Sequence, residues 1–271
     1  MTKVVLLTGA SSGIGHQTAQ LLAENGFKVY GAARRLEAMD DLKQYGVSAV
    51  RLDVTNEDSI KQAVAEVINQ EGRIDILINN AGYGSYGAVE DVTIEEAKRQ
   101  FDVNIFGLAA LTQEVLPHMR SQKSGKIINV SSMGGRLTTM FGAWYHATKY
   151  ALEAFSDALR METKSFGIDV ILVEPGGIKT PWGLIAADHL RESAKGGAYE
   201  QQASKTADGM VRQYSSNLLS DPQVIAKTML KAANARKPRA RYLVGFGAKP
   251  LVFLHSILPT RAFDFIISRA S

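Results

Sequence analysis

Residues 4–7 form an apolar run that passes directly into Thr8-Gly9-Ala10-Ser11-Ser12-Gly13-Ile14-Gly15, and residues 14–25 then show helical spacing. Few folds suit this order. A buried strand that turns into a helix through three glycines belongs to a β–α unit whose turn comes close to something else, because glycine supplies positive φ and bare backbone where a side chain would intrude. The start of the helix adds unpaired N–H groups and a partial positive charge, and Ser11 and Ser12 add hydroxyl donors. The turn reads as a cradle for a pyrophosphate, with Gly9, Ser11, Ser12, Gly13, Ile14 and Gly15 as its contacts. Its Gly-x3-Gly-x-Gly spacing departs from the common G-x-G-x-x-G of dinucleotide-binding turns. The assignment therefore leans on the position between strand and helix rather than on the motif alone.

The alternation continues along the chain. Apolar runs at 28–33, 49–52, 74–78, 126–130 and 169–173, with a short one at 243–244, read as strands, and residues 59–69, 94–106 and 145–165 have helical spacing. Strands that are apolar on both faces predict a parallel sheet covered on both sides. Right-handed crossovers make that a Rossmann-like doubly wound α/β fold. The length of 271 residues and an apolar fraction of 45% suit a single domain over 1–271. Residues 182–219 are polar, carry Gly196-Gly197 and follow the sixth strand. They are expected to form a helical substrate lid over the crevice at the carboxyl end of the sheet, with a plain surface insertion as the alternative. The chain has no cysteine, which excludes disulfides, thiolate nucleophiles and cysteine-ligated metals. No histidine or carboxylate cluster suggests a metal. The run at 4–7 is too short for a signal-peptide core and no stretch is long enough to span a bilayer, so a cytoplasmic protein is expected.

The acid that would hold a free ribose 2′-hydroxyl at the end of the second strand is missing; Arg34 and Arg35 stand there instead. A guanidinium suits a 2′-phosphate, which favours NADP(H) over NAD(H).

Further along lie Asn79-Asn80-Ala81-Gly82, Asn104, Ser132, Tyr145-x3-Lys149 and Pro175-Gly176-Gly177 with Thr180. Together with the glycine turn, these motifs, in this order, resemble the short-chain dehydrogenase/reductase family, and residues 242–267 resemble the C-terminal segment of members acting on steroid-like or acyl-glycerone-phosphate substrates. Tyr145 and Lys149 are four apart and share a helix face. A free tyrosine titrates near about 10. An ammonium one turn away, or an oxidised nicotinamide ring, lowers that value and suits Tyr145 to give and take a proton. The hydroxyl of Ser132, just beyond the fifth strand, can stabilise charge on a substrate oxygen. The resemblance implies that Lys149 also holds the nicotinamide ribose and that Asn104 organises a proton-relaying water. It places Asp53 and Val54 by the adenine, Asn80, Ala81 and Gly82 by the adenosine ribose, and Pro175, Gly176, Ile178 and Thr180 by the nicotinamide amide. Asn79 reads as structural. His146, next to Tyr145, faces elsewhere.

The reading is an NADP(H)-dependent oxidoreductase that interconverts a ketone and a secondary alcohol. Large apolar candidates for the pocket (Tyr83, Tyr86, Met133, Leu137, Met140, Phe141, Trp144, Trp182 and Leu184) point to a lipophilic small molecule. A 3-oxoacyl-thioester reductase is one alternative, and a non-catalytic NADPH-sensing binding protein is another. The basic, apolar extension at 236–271 holds seven Lys/Arg and one acid, Asp264, and so carries +6 while the whole chain carries +4. It reads as a solvated edge or as a peripheral membrane contact. No nucleic-acid motif is present. The family resemblance implies a homodimer or homotetramer packed through the helices around 94–116 and 145–166.

Overall fold

The computed structural model describes residues 2–270. Seven parallel strands form one sheet in the order β3-β2-β1-β4-β5-β6-β7. They are β1 (Val4–Thr8), β2 (Lys28–Ala33), β3 (Ser48–Arg51), β4 (Ile76–Asn79), β5 (Gly125–Val130), β6 (Ile168–Pro175) and β7 (Arg241–Val244). The helices are α1 (Gly13–Glu24), α2 (Glu57–Glu71), α3 (Ile94–Phe101), α4 (Leu108–Gln122), α5 (Ala143–Thr163), α6 (Trp182–Ser193), α7 (Glu200–Tyr214), α8 (Gln223–Asn234), α9 (Ala248–Ile257) and α10 (Thr260–Ala270).

Period-two alternation in β1 builds a core on each side of the sheet. Val5 and Leu7 pack with Ala19 and Leu22 of α1 and Ile225 and Met229 of α8. Val4 and Leu6 pack with Ile60, Val64 and Val67 of α2 and Leu111 and Val115 of α4. The strand order reverses between β1 and β4, and in a doubly wound sheet the ligand crevice opens at that point.

Several boundaries differ from the sequence reading. The fourth strand begins at Ile76 rather than at 74; Asp75 just before it still joins β1 and β5 through its backbone, donating to Val4 O and accepting from Lys126 N, both at 2.9 Å, while its carboxylate accepts from Val4 N at 2.8 Å and pairs with Arg73. Helix α2 begins at Glu57 rather than at 59, where Asn56 caps it by accepting from Ser59 N at 2.8 Å. The long helix expected from residue 94 is interrupted by a π turn at Asp102–Gly107. There Gly107 lies against the backbone of Val54, where a side chain would collide. The α8 helix had no counterpart in the sequence reading. Lys126 anchors its end, donating from Nζ to Ala233 O at 2.7 Å and Ala232 O at 3.2 Å. Residues 182–219 are largely the two helices α6 and α7, which pack on each other beside the carboxyl edge of the sheet.

Candidate active site

Two loops meet where the strand order reverses. Gly9 and Gly13 adopt left-handed φ values of 71° and 54°, a region that only glycine enters freely. A methyl group on Gly15 would run into the Gly9 carbonyl oxygen and the Asn80 amide. The Thr8 hydroxyl accepts from the N–H groups of Asn80 and Ala81, both at 3.0 Å, and Asn80 Nδ2 donates to Thr8 O at 3.0 Å. The side chain of Asn80 thus braces the glycine turn. Thr8, which the sequence reading did not single out, ties the same two loops together. Ser12 precedes α1 without spending its side chain on a cap, and no acid lies in the helix's first turn. These features fit a pyrophosphate: close bare backbone, free helix N–H groups and no competing negative charge.

Beyond the turn, one continuous cavity of about 1240 Å³ is lined by Gly9, Ser11, Ser12, Gly13, Ile14, Arg34, Arg35, Asp53, Val54, Asn80, Ala81, Gly82, Pro175, Gly176, Ile178 and Thr180. The cavity also takes in Ser132, Tyr145 and Lys149. Gly15 and Asn104 lie outside its lining. Arg34 and Arg35 are exposed at the end of β2. Partial burial pushes the Asp53 carboxyl up, but Thr55 outweighs it by donating from N at 3.0 Å and Oγ1 at 2.7 Å. With Arg34 nearby, the carboxyl is held below its ordinary range.

At the centre, Ser132 ends the segment after β5, accepts from Gly134 N at 3.0 Å and hydrogen-bonds the Tyr145 phenol. Lys149 Nζ donates to Val130 O at 2.9 Å and lies 5.9 Å from the Tyr145 ring centroid. A side chain at Gly82 would wedge between Asn104 Oδ1, 3.0 Å away, and Lys149 Nζ, 3.8 Å away. Asn104 sits on the π turn and is buried. Its Oδ1 accepts from Tyr83 N at 3.1 Å, and its Nδ2 donates to Tyr83 O at 2.9 Å and Thr148 Oγ1 at 3.0 Å. His146 is also buried, with Nδ1 at 2.9 Å from Gly134 O and Nε2 accepting from Thr139 N at 3.0 Å. Both ring nitrogens are taken, so it supports the serine loop. Asn79 donates to Thr112 at 3.1 Å and Asn129 at 2.9 Å inside the core, as a structural asparagine should.

The far end of the cavity is aromatic. Tyr145 stacks at a tilt on Trp182, 5.1 Å between centroids, and Tyr86 and Tyr214 complete the wall. Tyr83, Met133, Leu137 and Met140 also line it, as do Ile185, His189, Met210 and Tyr214 of α6 and α7. Three expected pocket residues are elsewhere. Trp144 lines a separate surface groove with Ile94, Phe101 and Phe106. Leu184 is exposed. Phe141 packs edge-on against Tyr199. Along a helix, neighbouring residues face different ways, and spacing alone did not say which faced the cavity.

The short chain dehydrogenase family model matches residues 3–186. The chain belongs to the short-chain dehydrogenase/reductase family. It is 37% identical over 261 residues to the probable short-chain type dehydrogenase/reductase VdlC of Helicobacter pylori, covering 96% of this chain and 95% of that one. It is 44% identical over 181 residues to a 3-ketodihydrosphingosine reductase of Bacteroides thetaiotaomicron, covering 66% of this chain and 65% of that one. A crystal structure of a short-chain dehydrogenase from Streptomyces avermitilis superposes with a TM-score of 0.81 at 35% identity, covering 94% of this chain and 92% of that one.

The electrostatics of this short-chain dehydrogenase/reductase correct one expectation. Lys149 was expected to lower the Tyr145 pKa. Among the chain's own groups, burial dominates and pushes the phenol up to about 12, with Ser132 alone opposing. Burial also pulls Lys149 down to about 8, against the attraction of Glu153 one turn on. Both shifts share one cause, an apolar surround that disfavours whichever form is charged.

Proposed function

We propose that this protein is an NADP(H)-dependent oxidoreductase that reduces a lipophilic ketone, or oxidises the matching secondary alcohol. The observation that carries this reading is the convergence of Ser132, Tyr145 and Lys149 in one cavity that is continuous with the glycine turn. Bound dinucleotide supplies the hydride for the carbonyl carbon, or takes it from the carbinol carbon. Ser132 donates a hydrogen bond to the substrate oxygen. Tyr145 passes its phenolic proton to the same oxygen as negative charge develops there. A pKa of about 12 keeps the phenol protonated at neutral pH and ready to donate. Ser132, which hydrogen-bonds the phenol, also stabilises the phenolate left behind, and Lys149 holds the nicotinamide ribose. Asn104, with its amide bonded to Tyr83 and Thr148, acts as a positioning residue that holds the Gly82–Tyr83 backbone beside Lys149. The exposed Arg34 and Arg35 supply the preference for a 2′-phosphate. Apolar and aromatic walls support a lipophilic substrate, and the likeness to a 3-ketodihydrosphingosine reductase points the same way. The helices α6 and α7 serve as the substrate lid. Exposed Ile94, Phe106 and Met161 support packing of two or four copies through α3 to α5.

The test is a fluorescence titration with NADPH and NADH, followed by turnover of apolar ketones by the native protein and by Tyr145→Phe. Tight NADPH binding by both, with turnover about a thousandfold lower in the variant, is expected. Equal turnover would remove the proton-transfer assignment. NADPH binding without turnover of any ketone by the native protein would favour a non-catalytic binder.

A further inference from the structure

The last two helices have an inner and an outer face. Leu251 of α9 and Ile267 of α10 line the cavity, and Ile267 packs with Phe263 on Leu137, a few residues beyond Ser132. Two positions from each lining residue, about 200° around its helix, the outer face carries Phe253, 62% exposed, and Phe265, 55% exposed. Ile257 and Ile266 extend that apolar surface. Cations flank it at helical spacing: Lys249 stands four residues before Phe253, and Arg261 and Arg269 stand four before and four after Phe265. The Arg269 guanidinium lies 3.9 Å from the Phe265 ring centroid. Both helices are short, at 10 and 11 residues, and among the described residues no helix is long and apolar enough to cross a membrane.

We infer that the outer face of α9 and α10 docks on an anionic bilayer surface, so that the cavity these helices wall lies against lipid. The inference rests on the lipophilic-substrate reading for its purpose, but not for its evidence. Alternating Lys/Arg and aromatic side chains on short helices suit the headgroup boundary, where rings enter the acyl edge and cations meet phosphates. A second copy of the chain is disfavoured as occupant. A two-fold contact would set Lys249, Arg261 and Arg269 against the same three cations, with Asp264 as the single acid of the extension.

The test is co-sedimentation of the full-length protein with phosphatidylcholine vesicles that contain or lack phosphatidylglycerol, at low and at high salt. Binding only to the anionic vesicles, weakened by salt, is expected. Arg261→Gln should lower partitioning about fivefold, and the pair Phe253→Ser/Phe265→Ser about tenfold or more. NADPH titration of each variant should match the native protein, because none of these residues lines the cavity. No binding to anionic vesicles by a protein that still binds NADPH and turns over ketone would overturn the docking face and leave the reductase reading intact. Salt-sensitive vesicle binding by a protein without turnover would do the reverse. A concentration-dependent dimer that dissociates in the double serine variant would also overturn the proposal, because the face would then belong to a second copy.

Discussion

Arg241, on the last strand, places Nε 3.0 Å from Glu153, which stands one helical turn beyond Lys149 on α5. The same guanidinium reaches Glu174 at 3.4 Å and Asp157 at 2.6 Å, and Arg136 meets Glu174 at 3.2 Å. Glu153 and Glu174 are nearly sealed from solvent. Burial pushes the Glu153 carboxyl above its ordinary range. One cation therefore ties α5, β6 and the edge strand β7. Arg241→Met leaves buried Glu153 without its cation, and Asp157 and Glu174 with one arginine each, and should cost about 3 kcal/mol or more in urea unfolding. Adding Glu153→Gln should recover part of that loss. A single variant as stable as the native protein would show that the cluster contributes nothing.

Gly15→Ala tests the cradle. The new methyl meets the Gly9 carbonyl, which cannot move without shifting the turn. Dinucleotide affinity should fall at least about tenfold, since a misplaced turn loses its backbone contacts to phosphate. Unchanged affinity by fluorescence titration would mean that the turn does not hold the pyrophosphate.

Arg34→Ala tests cofactor choice. NADPH affinity should fall about tenfold or more while NADH changes little, because only NADPH carries the 2′-phosphate that the guanidinium would pair with. Parallel losses would assign Arg34 to the loop's structure, and loss for neither would pass the role to Arg35.

Lys149 governs a pH window. Its value in the folded chain is about 8, against 10.5 for an ordinary lysine. Between those values the unfolded chain binds more protons than the folded one, so stability rises as pH rises and is lost again as pH falls towards 8. The full change is about 3 kcal/mol, at about 1.4 kcal/mol for each pH unit. Urea unfolding of the native protein and of Lys149→Met across this range should show the rise in the first alone. Identical slopes would mean that burial does not penalise the ammonium.

Much of the fold was written in local pattern. The apolar run before Thr8, the glycines after it and the alternation of short strands with amphipathic helices determine a parallel doubly wound sheet, because side-chain period and turn chemistry are properties of neighbouring residues. The same locality placed Tyr145 and Lys149 on one face of α5 and put the glycine turn at the start of α1. Tertiary structure decided what depends on distant partners. The helix α8 is held by Lys126, more than a hundred residues earlier. The π turn that carries Asn104 is shaped where Gly107 meets Val54. Trp144 and Trp182 are both large and apolar, yet only Trp182 packs on Tyr145. The sign of the Tyr145 shift was decided in the same way. Sequence supplies the ammonium four residues away, but burial is a sum over everything that packs around the phenol, and here that sum outweighs the single charge.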